Sequence, residues 1–462
     1  MEATTGSGPL IGQPVSGARR VSARTVLHPE SRTADWPRTT RLLPWALFSF
    51  VAMLWLVPFD SIKLPVGGPI DATLDRPMLV LLIGLWMLSV KAVRNGWSLR
   101  LSPVHWAFAI FTAVAAISIL LRGESLIRLG EMELAVKQLA LLATYGIFFA
   151  LSASILRASE VTKMIQAMLV LACIVALSVV AEYRLGINPF HDWIGPMFPG
   201  YVRPPELGMV DSIGRVQIFG PGIHPLVPAV MLSMTLPFAF AWLLKAPDRS
   251  KRLLYGVVVV VLIAGAVATQ KKTAIVGPVV CVLVLTASRP RAMLRLTPLA
   301  LVLFVVIHLT APGALGGVIN QFAPGSVNKV NTTQDRVSDY EAVVPDVVDH
   351  PLLGRGYGSY DQKKHRILDN LYLTLAIGVG LLGLLAYLAI YVTSFREANR
   401  IARSGDPERA PPAMAAAAAI IVALISGALL DFLSFPQLPY LFCFIAAIAF
   451  VLARDQTTRK VA

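Results

Sequence analysis

Twelve apolar runs, most of them close to the roughly 20 residues that cross a bilayer core, divide this chain and constrain its fold more than any other feature. They cover about residues 42–58, 77–93, 103–121, 138–156, 164–181, 226–244, 253–269, 273–287, 296–311, 371–395, 411–434 and 438–453. Lipid offers no partner to a bare N–H or C=O, so a spanning run of this kind has to be a helix. The expected fold is an all-α polytopic membrane protein with about 12 transmembrane helices. The eighth run is short and holds Pro278, so one long stretch with a re-entrant bend over 253–287 is the rival count. Composition agrees: charged residues make up 15% of the chain and mean hydropathy is +0.66, whereas a soluble domain carries roughly 25% charge.

The segments between the runs set an orientation. With the N-terminus inside, 25 of the 41 lysines and arginines fall on the inner side, and 18 of the 27 acids on the outer. The positive-inside rule accounts for that bias, so the net charge of +14 reflects topology and implies no nucleic acid. Residues 1–41 have no apolar core and read as a disordered cytoplasmic tail; a cleavable signal would need an apolar h-region there. A single membrane domain, 42–453, follows, and 454–462 form a cytoplasmic tail. Cys173, Cys281 and Cys443 all fall inside apolar runs, which suits packing and gives neither a disulfide framework nor metal-ligand spacing.

Two connections exceed what a plain bundle needs, about 182–225 and about 312–370, the latter between the ninth and tenth runs. Both face outward in this topology, and loops beyond about 15 residues are usually functional. The first holds "GRVQIFGPGIHP", with Arg215 ahead of a Gly-Pro-Gly turn and His224 at the mouth of the next span. The very short outer link "ATQKKTAIVG" places Lys271 and Lys272 against the charge bias, where an anion would be a natural partner. The second loop carries Arg336 and Arg355 among several acids, an amphipathic segment with Val337, Tyr340, Val344 and Val347 at helical spacing that is expected to break near Pro345, and the turn "HPLLGRGYGSY". EF-hand spacing is absent, so no metal is expected.

Asp369-Asn370 ends that loop at the start of the tenth run. Asp369 is open to two roles: a helix cap accepting the first N–H groups, or a general base taking a proton from a substrate hydroxyl. Gly380 and Gly383, one turn apart, are expected to let another helix approach closely.

The pattern "DN-x9-G-x2-G" over Asp369 to Gly383 resembles the signature of O-antigen ligases and the related O-antigen polymerases, with Asp369 where the ligases carry histidine. "DRVSDYEAVVPDVVDHPLLGRGYGSY", "GRVQIFGPGIHP" and "ATQKKTAIVG", with Lys272 in the place of an arginine, are similar to further family segments, and the likeness runs in order over roughly 210–390. The resemblance implies a GT-C-like, metal-independent, inverting glycosyltransferase of the cytoplasmic membrane with no cofactor. Its donor would be a glycan on a polyprenyl (undecaprenyl) diphosphate, and its acceptor a hydroxyl on a glycan or lipid-glycan at the outer face. It further implies Asp369 as base, Arg215 and Lys272 against the leaving diphosphate, and Arg336, Arg355, Lys271, Asn370 and His224 as diphosphate or glycan contacts. The main alternative is a 12-helix secondary transporter or glycolipid flippase, which would favour a repeat between halves; none is visible. A non-enzymatic scaffold for envelope assembly is the third reading.

Overall fold

A computed structural model describes residues 42–64, 73–91, 101–211, 215–296, parts of 298–309, 343–361, 364–365 and 367–461. Among these residues the chain is helical. Isolated antiparallel bridges join Ile62 to Tyr201, Lys63 to Thr73 and Val210 to Val216. The principal helices are α1 (Leu42–Leu56), α2 (Asp75–Lys91), α3 (Pro103–Leu121), α4 (Met132–Ile155), α5 (Ala158–Leu185) and α6 (Leu226–Lys245). They continue with α7 (Arg249–Ala268), α8 (Thr273–Ser288), α9 (Leu371–Ala402), α10 (Ala410–Ser426) and α11 (Gln437–Val461). Seven of them, α3 to α7, α9 and α11, are long and apolar enough to cross a membrane; α1, α8 and α10 are apolar but shorter. The protein is a multi-pass membrane protein. Most of the run 296–311 and all of the tail 1–41 lie outside the described residues.

Burial separates the helices into an inside and an outside. The most apolar windows of α6 and α11 are 94% buried, against 33–56% for the other five spans, so these two form the middle of the bundle. α10 joins them. Its run Ala415–Ala419 is buried throughout, and side chains that small let α6, α8, α9 and α11 approach its backbone closely. Large apolar residues on the outer helices, such as Val80, Leu120, Val170 and Leu177, remain exposed, as lipid-facing positions require.

The segment 253–287 forms two helices, not one with a bend. α7 stops at Ala268 and α8 starts at Thr273. Gln270 between them has φ 57, the one positive φ of a non-glycine residue among those described. Pro278 sits inside α8 without ending it. In the second long loop, residues 343–349 are helical through Pro345, where a break was expected.

Gly380 of α9 does something other than admit a second helix. The helix breaks at Gly380 (φ 63, ψ −165), a conformation open essentially to glycine alone. Into the break goes the backbone of the 350–358 turn. Leu381 and Leu382 donate to the carbonyls of Pro351 and Leu352 at 2.8 and 3.1 Å, and Arg355 and Gly356 donate to Ile377 and Gly378 at 2.8 and 3.0 Å. A Cβ at Gly380 would lie 2.4 Å from the Leu352 carbonyl carbon, and one at Gly354 2.4 Å from the Ile377 oxygen. Gly380→Ala is therefore expected to cost about 1–3 kcal/mol in backbone strain, beyond the clash. A lowered thermal midpoint in detergent checks this, and an unchanged midpoint would show that the break is not needed.

The loops meet at one end of the bundle. Lys63 donates to Gly200 and Val202 to Ser61, at 3.0 and 2.7 Å. Arg122 bonds His350 at 2.8 Å, and Arg355 pairs with Glu131 at 2.9 Å. The connection after α1 thus packs on that after α5, and the connection after α3 on that before α9.

Candidate functional site

The loop between α5 and α6 is fixed from below by Glu182, buried near the end of α5. Its two carboxylate oxygens accept the N–H groups of Phe219 and Gly220 at 2.9 and 2.8 Å. Asn188 donates to the Gly220 carbonyl at 2.9 Å, and the buried His191 meets the Gly222 carbonyl through Nε2 at 2.9 Å. Three side chains thus pin the Gly-Pro-Gly turn and fix the residues on either side of it, Arg215 and His224.

Arg215 reaches the α7–α8 link. Its Nε and one terminal nitrogen donate to Asp211 at 3.0 and 2.7 Å, and the other donates to the Gln270 carbonyl at 3.1 Å. The strained φ of Gln270 belongs to a link that offers this carbonyl to Arg215 and leads straight into Lys271 and Lys272, both half-buried, at the start of α8. Burial, and then the Arg215 charge, push the Lys271 ammonium below its ordinary pKa; Asp211, Glu206 and Asp369 oppose that. His224 accepts the Leu226 N–H through Nδ1 at 3.2 Å, which leaves the neutral ring's proton on Nε2. Burial and the neighbouring Lys271 push His224 down to about 4, so it is neutral at pH 7. Arg215 and Lys271 therefore form a cation pair with the neutral His224 beside it, offset in part by Asp211, and with the positive end of the α8 dipole behind it.

The start of α9 settles which residue caps the helix. Asn370 is the N-cap, its Oδ1 accepting the Tyr372 N–H at 2.9 Å. The capping function is thereby met without Asp369, which stands one residue earlier with its side chain exposed. The Leu371 N–H bonds the carbonyls of Gly427 and Leu430 at 2.9 and 3.3 Å, which laces the α10–α11 loop to this helix end. That loop brings Asp431, a residue the run 411–434 had placed inside a span. α10 ends at Ser426, so Asp431 lies beyond it. Asp431 is buried and accepts a hydrogen bond from Ser434 Oγ at 2.7 Å. Burial pushes its pKa up to about 6, with the Asp369 charge adding to the rise and Ser434 opposing it. Asp431 and Ser434 line a cavity of about 280 Å³ together with Tyr357, Tyr360, Asp361 and Thr374.

Asp369 acts electrostatically on both Lys271 and Asp431. Lys271 and the cavity's Asp431 thus both lie within electrostatic range of Asp369. His224 adds a contact, its ring 5.4 Å from that of Phe435 on the Asp431 loop.

Of the residues expected from sequence, Arg215, Lys271, His224 and Asp369 converge. Lys272 adjoins them in the chain, and Asn370 adjoins Asp369. Arg355 is engaged elsewhere, by Glu131 at 2.9 Å and Asp346 at 3.7 Å, and lies 5.8 Å from the Tyr360 ring; it holds the loop that roofs the cavity. Arg336 lies outside the described residues. Glu182 and Asp431 were missed. The only sign of Asp431 in sequence was one acid inside an otherwise apolar run, followed by Ser434 and Pro436.

No curated protein matches the chain. Residues 257–388, from α7 to the part of α9 beyond its break, match a family model described as O-antigen ligase. The matched segment contains Lys271, Lys272, Arg355, Asp369 and Asn370; Arg215, His224 and Asp431 lie outside it.

Proposed function

We propose, since residues 257–388 match a family model described as O-antigen ligase, that the protein transfers or polymerises a glycan from a polyprenyl-diphosphate donor onto an acceptor hydroxyl, at the outer face of the cytoplasmic membrane. That match, together with the seven helices long and apolar enough to cross a membrane, supports a membrane enzyme that handles glycan. The finer reading rests on one observation: Arg215 and Lys271 stand near the loop of Asp431, which His224 approaches through Phe435, with Asp369 within electrostatic range of both Lys271 and Asp431.

Each half has a task in such a transfer. As the acceptor oxygen bonds to the anomeric carbon, the bond from that carbon to the diphosphate breaks, and its electron pair leaves with the diphosphate. Arg215, Lys271 and Lys272 counter the charge that grows there, which is electrostatic stabilisation of a transition state by fixed groups. The His224 Nε2–H adds a donor without adding charge. The proton of the acceptor hydroxyl goes to a carboxylate. Asp431, raised to about 6, is the better-tuned base at neutral pH, being largely ionised yet more basic than an ordinary carboxylate. Asp369 raises that basicity and stands where the ligases carry histidine. Tyr357 and Tyr360 offer faces and hydroxyls suited to a sugar ring.

The purified protein in vesicles, given a polyprenyl-diphosphate glycan and an acceptor, is expected to release polyprenyl diphosphate in step with glycosylated acceptor. Movement of intact glycolipid across the bilayer without release would make it a flippase instead.

A further inference from the structure

The segment that carries Arg215 has two unlike faces. Val210 bridges Val216 in antiparallel fashion, flanked by the bonds Asp211 N–H to Arg215 O at 2.8 Å and Gln217 N–H to Met209 O at 2.9 Å. Side chains alternate across such a ladder. Asp211 and Arg215 therefore share one face, as their ion pair requires, and Val210 and Val216 share the other. The first face is tied to the Gln270 carbonyl. The second is open, with Val210 59% and Val216 44% exposed.

Depth follows from the same contact. Gln270 lies in a four-residue link between two apolar helices, Ala268 ending one and Thr273 beginning the next. A link that short stays at the bilayer edge, and Arg215 is bonded to it. Elsewhere in the same loop Trp193 is 63% and Met197 79% exposed, and tryptophan is enriched at the membrane–water interface. The loop begins where α5 ends, at Leu185, which is itself exposed and continues a helix whose Val170 and Leu177 face outward.

We propose that the paired stretches 209–211 and 215–217 form a membrane-resting β-ladder. Its valine face seats in the bilayer surface, and its other face holds Arg215 at the depth of the lipid phosphates. The occupant of the exposed valine face is the bilayer itself. The seat of this ladder stands whether or not the transfer reaction is correct; if both hold, Arg215 meets a lipid-borne diphosphate without lifting it from the membrane.

The test uses the full chain in phosphatidylethanolamine–phosphatidylglycerol vesicles. Cys173, half-buried, is replaced by Ala; Cys281 and Cys443 are buried and stay. A polarity-sensitive thiol probe is placed in Val210→Cys, in Val216→Cys and, as a control, in Glu206→Cys, an exposed charged position of the same loop. Blue-shifted emission at 210 and 216, quenched more by spin-labelled lipid than by iodide, with the reverse order at 206, supports the seat. Water-like emission and iodide quenching at all three positions overturn it, as does probe shielding that requires a second copy of the chain. Photolabelling of the unaltered protein by a lipid-borne diazirine checks the result without substitutions. Label in the stretches 209–211 and 215–217 is expected, and label confined to the spanning helices would contradict the proposal.

Discussion

Arg215→Ala is expected to lower turnover by about 10²–10³-fold, roughly 3–4 kcal/mol of barrier, as for loss of one fixed group that stabilises developing charge. Arg215 is one of two cations that act on each other across the α7–α8 link: its charge depresses Lys271, which half-burial has already made less willing to stay charged. An incoming diphosphate would relieve that repulsion, so the two cations are held ready for an anion at the cost of their own comfort. Asp211 offsets one positive charge and fixes the guanidinium, and a third contact to Gln270 completes its orientation. Arginine has five donors, and these contacts use three. Arg215→Lys keeps the charge but loses the forked geometry, and intermediate activity is expected. The assay is release of polyprenyl diphosphate under saturating donor, with monodisperse elution in detergent as the check on folding. Wild-type turnover in the alanine variant would remove Arg215 from the reaction.

Asp431→Asn should be at least as damaging, about 10²–10⁴-fold, the usual share of a positioned general base. Asparagine keeps an oxygen for the Ser434 hydroxyl, so the loop has little reason to move. The pH profile separates a base from a packing residue. Asp431 must be ionised to accept a proton, so wild-type turnover should fall as pH drops through about 6. The negative charge of Asp369 disfavours ionisation of Asp431; Asp369→Asn removes that repulsion, and the acid limb should move to lower pH. If Asp369 were itself the base, as its place in the family motif suggests, the same variant would abolish turnover instead of shifting the limb.

The sequence revealed the helices more readily than it revealed where they stop. A run of about twenty apolar residues can only be satisfied as a helix in lipid, which is why α3 was placed at residues 103–121 and α9 at residue 371. Boundaries depend on single polar residues, which an apolar background hides. Asp431 was absorbed into a span because Leu429, Leu430, Phe432 and Leu433 surround it, although the helix ends before Gly427. Glu182 fell one residue past the run 164–181, while the helix continues to Leu185 and uses that carboxylate to hold a distant turn. Gly380 was legible as a close approach, but composition does not say whether the approaching backbone is a helix or a loop. Arg215, Lys271, His224 and Asp369 were legible as polar residues beside span ends. Their convergence is a tertiary fact, carried by the Glu182 anchor and by the bonds from Leu371 to the α10–α11 loop.

The central claim is that a lipid diphosphate lodges between Arg215 and Lys271 with its glycan directed at the Asp431 cavity. The most direct measurement is a structure of the protein in a bilayer disc with polyprenyl diphosphate bound. Phosphate oxygens are expected within hydrogen-bond reach, about 2.7–3.2 Å, of Arg215 and Lys271, with the free phosphate end turned toward Asp369 and Asp431. A diphosphate bound at the opposite end of the bundle, or one whose phosphates contact neither cation, would contradict it.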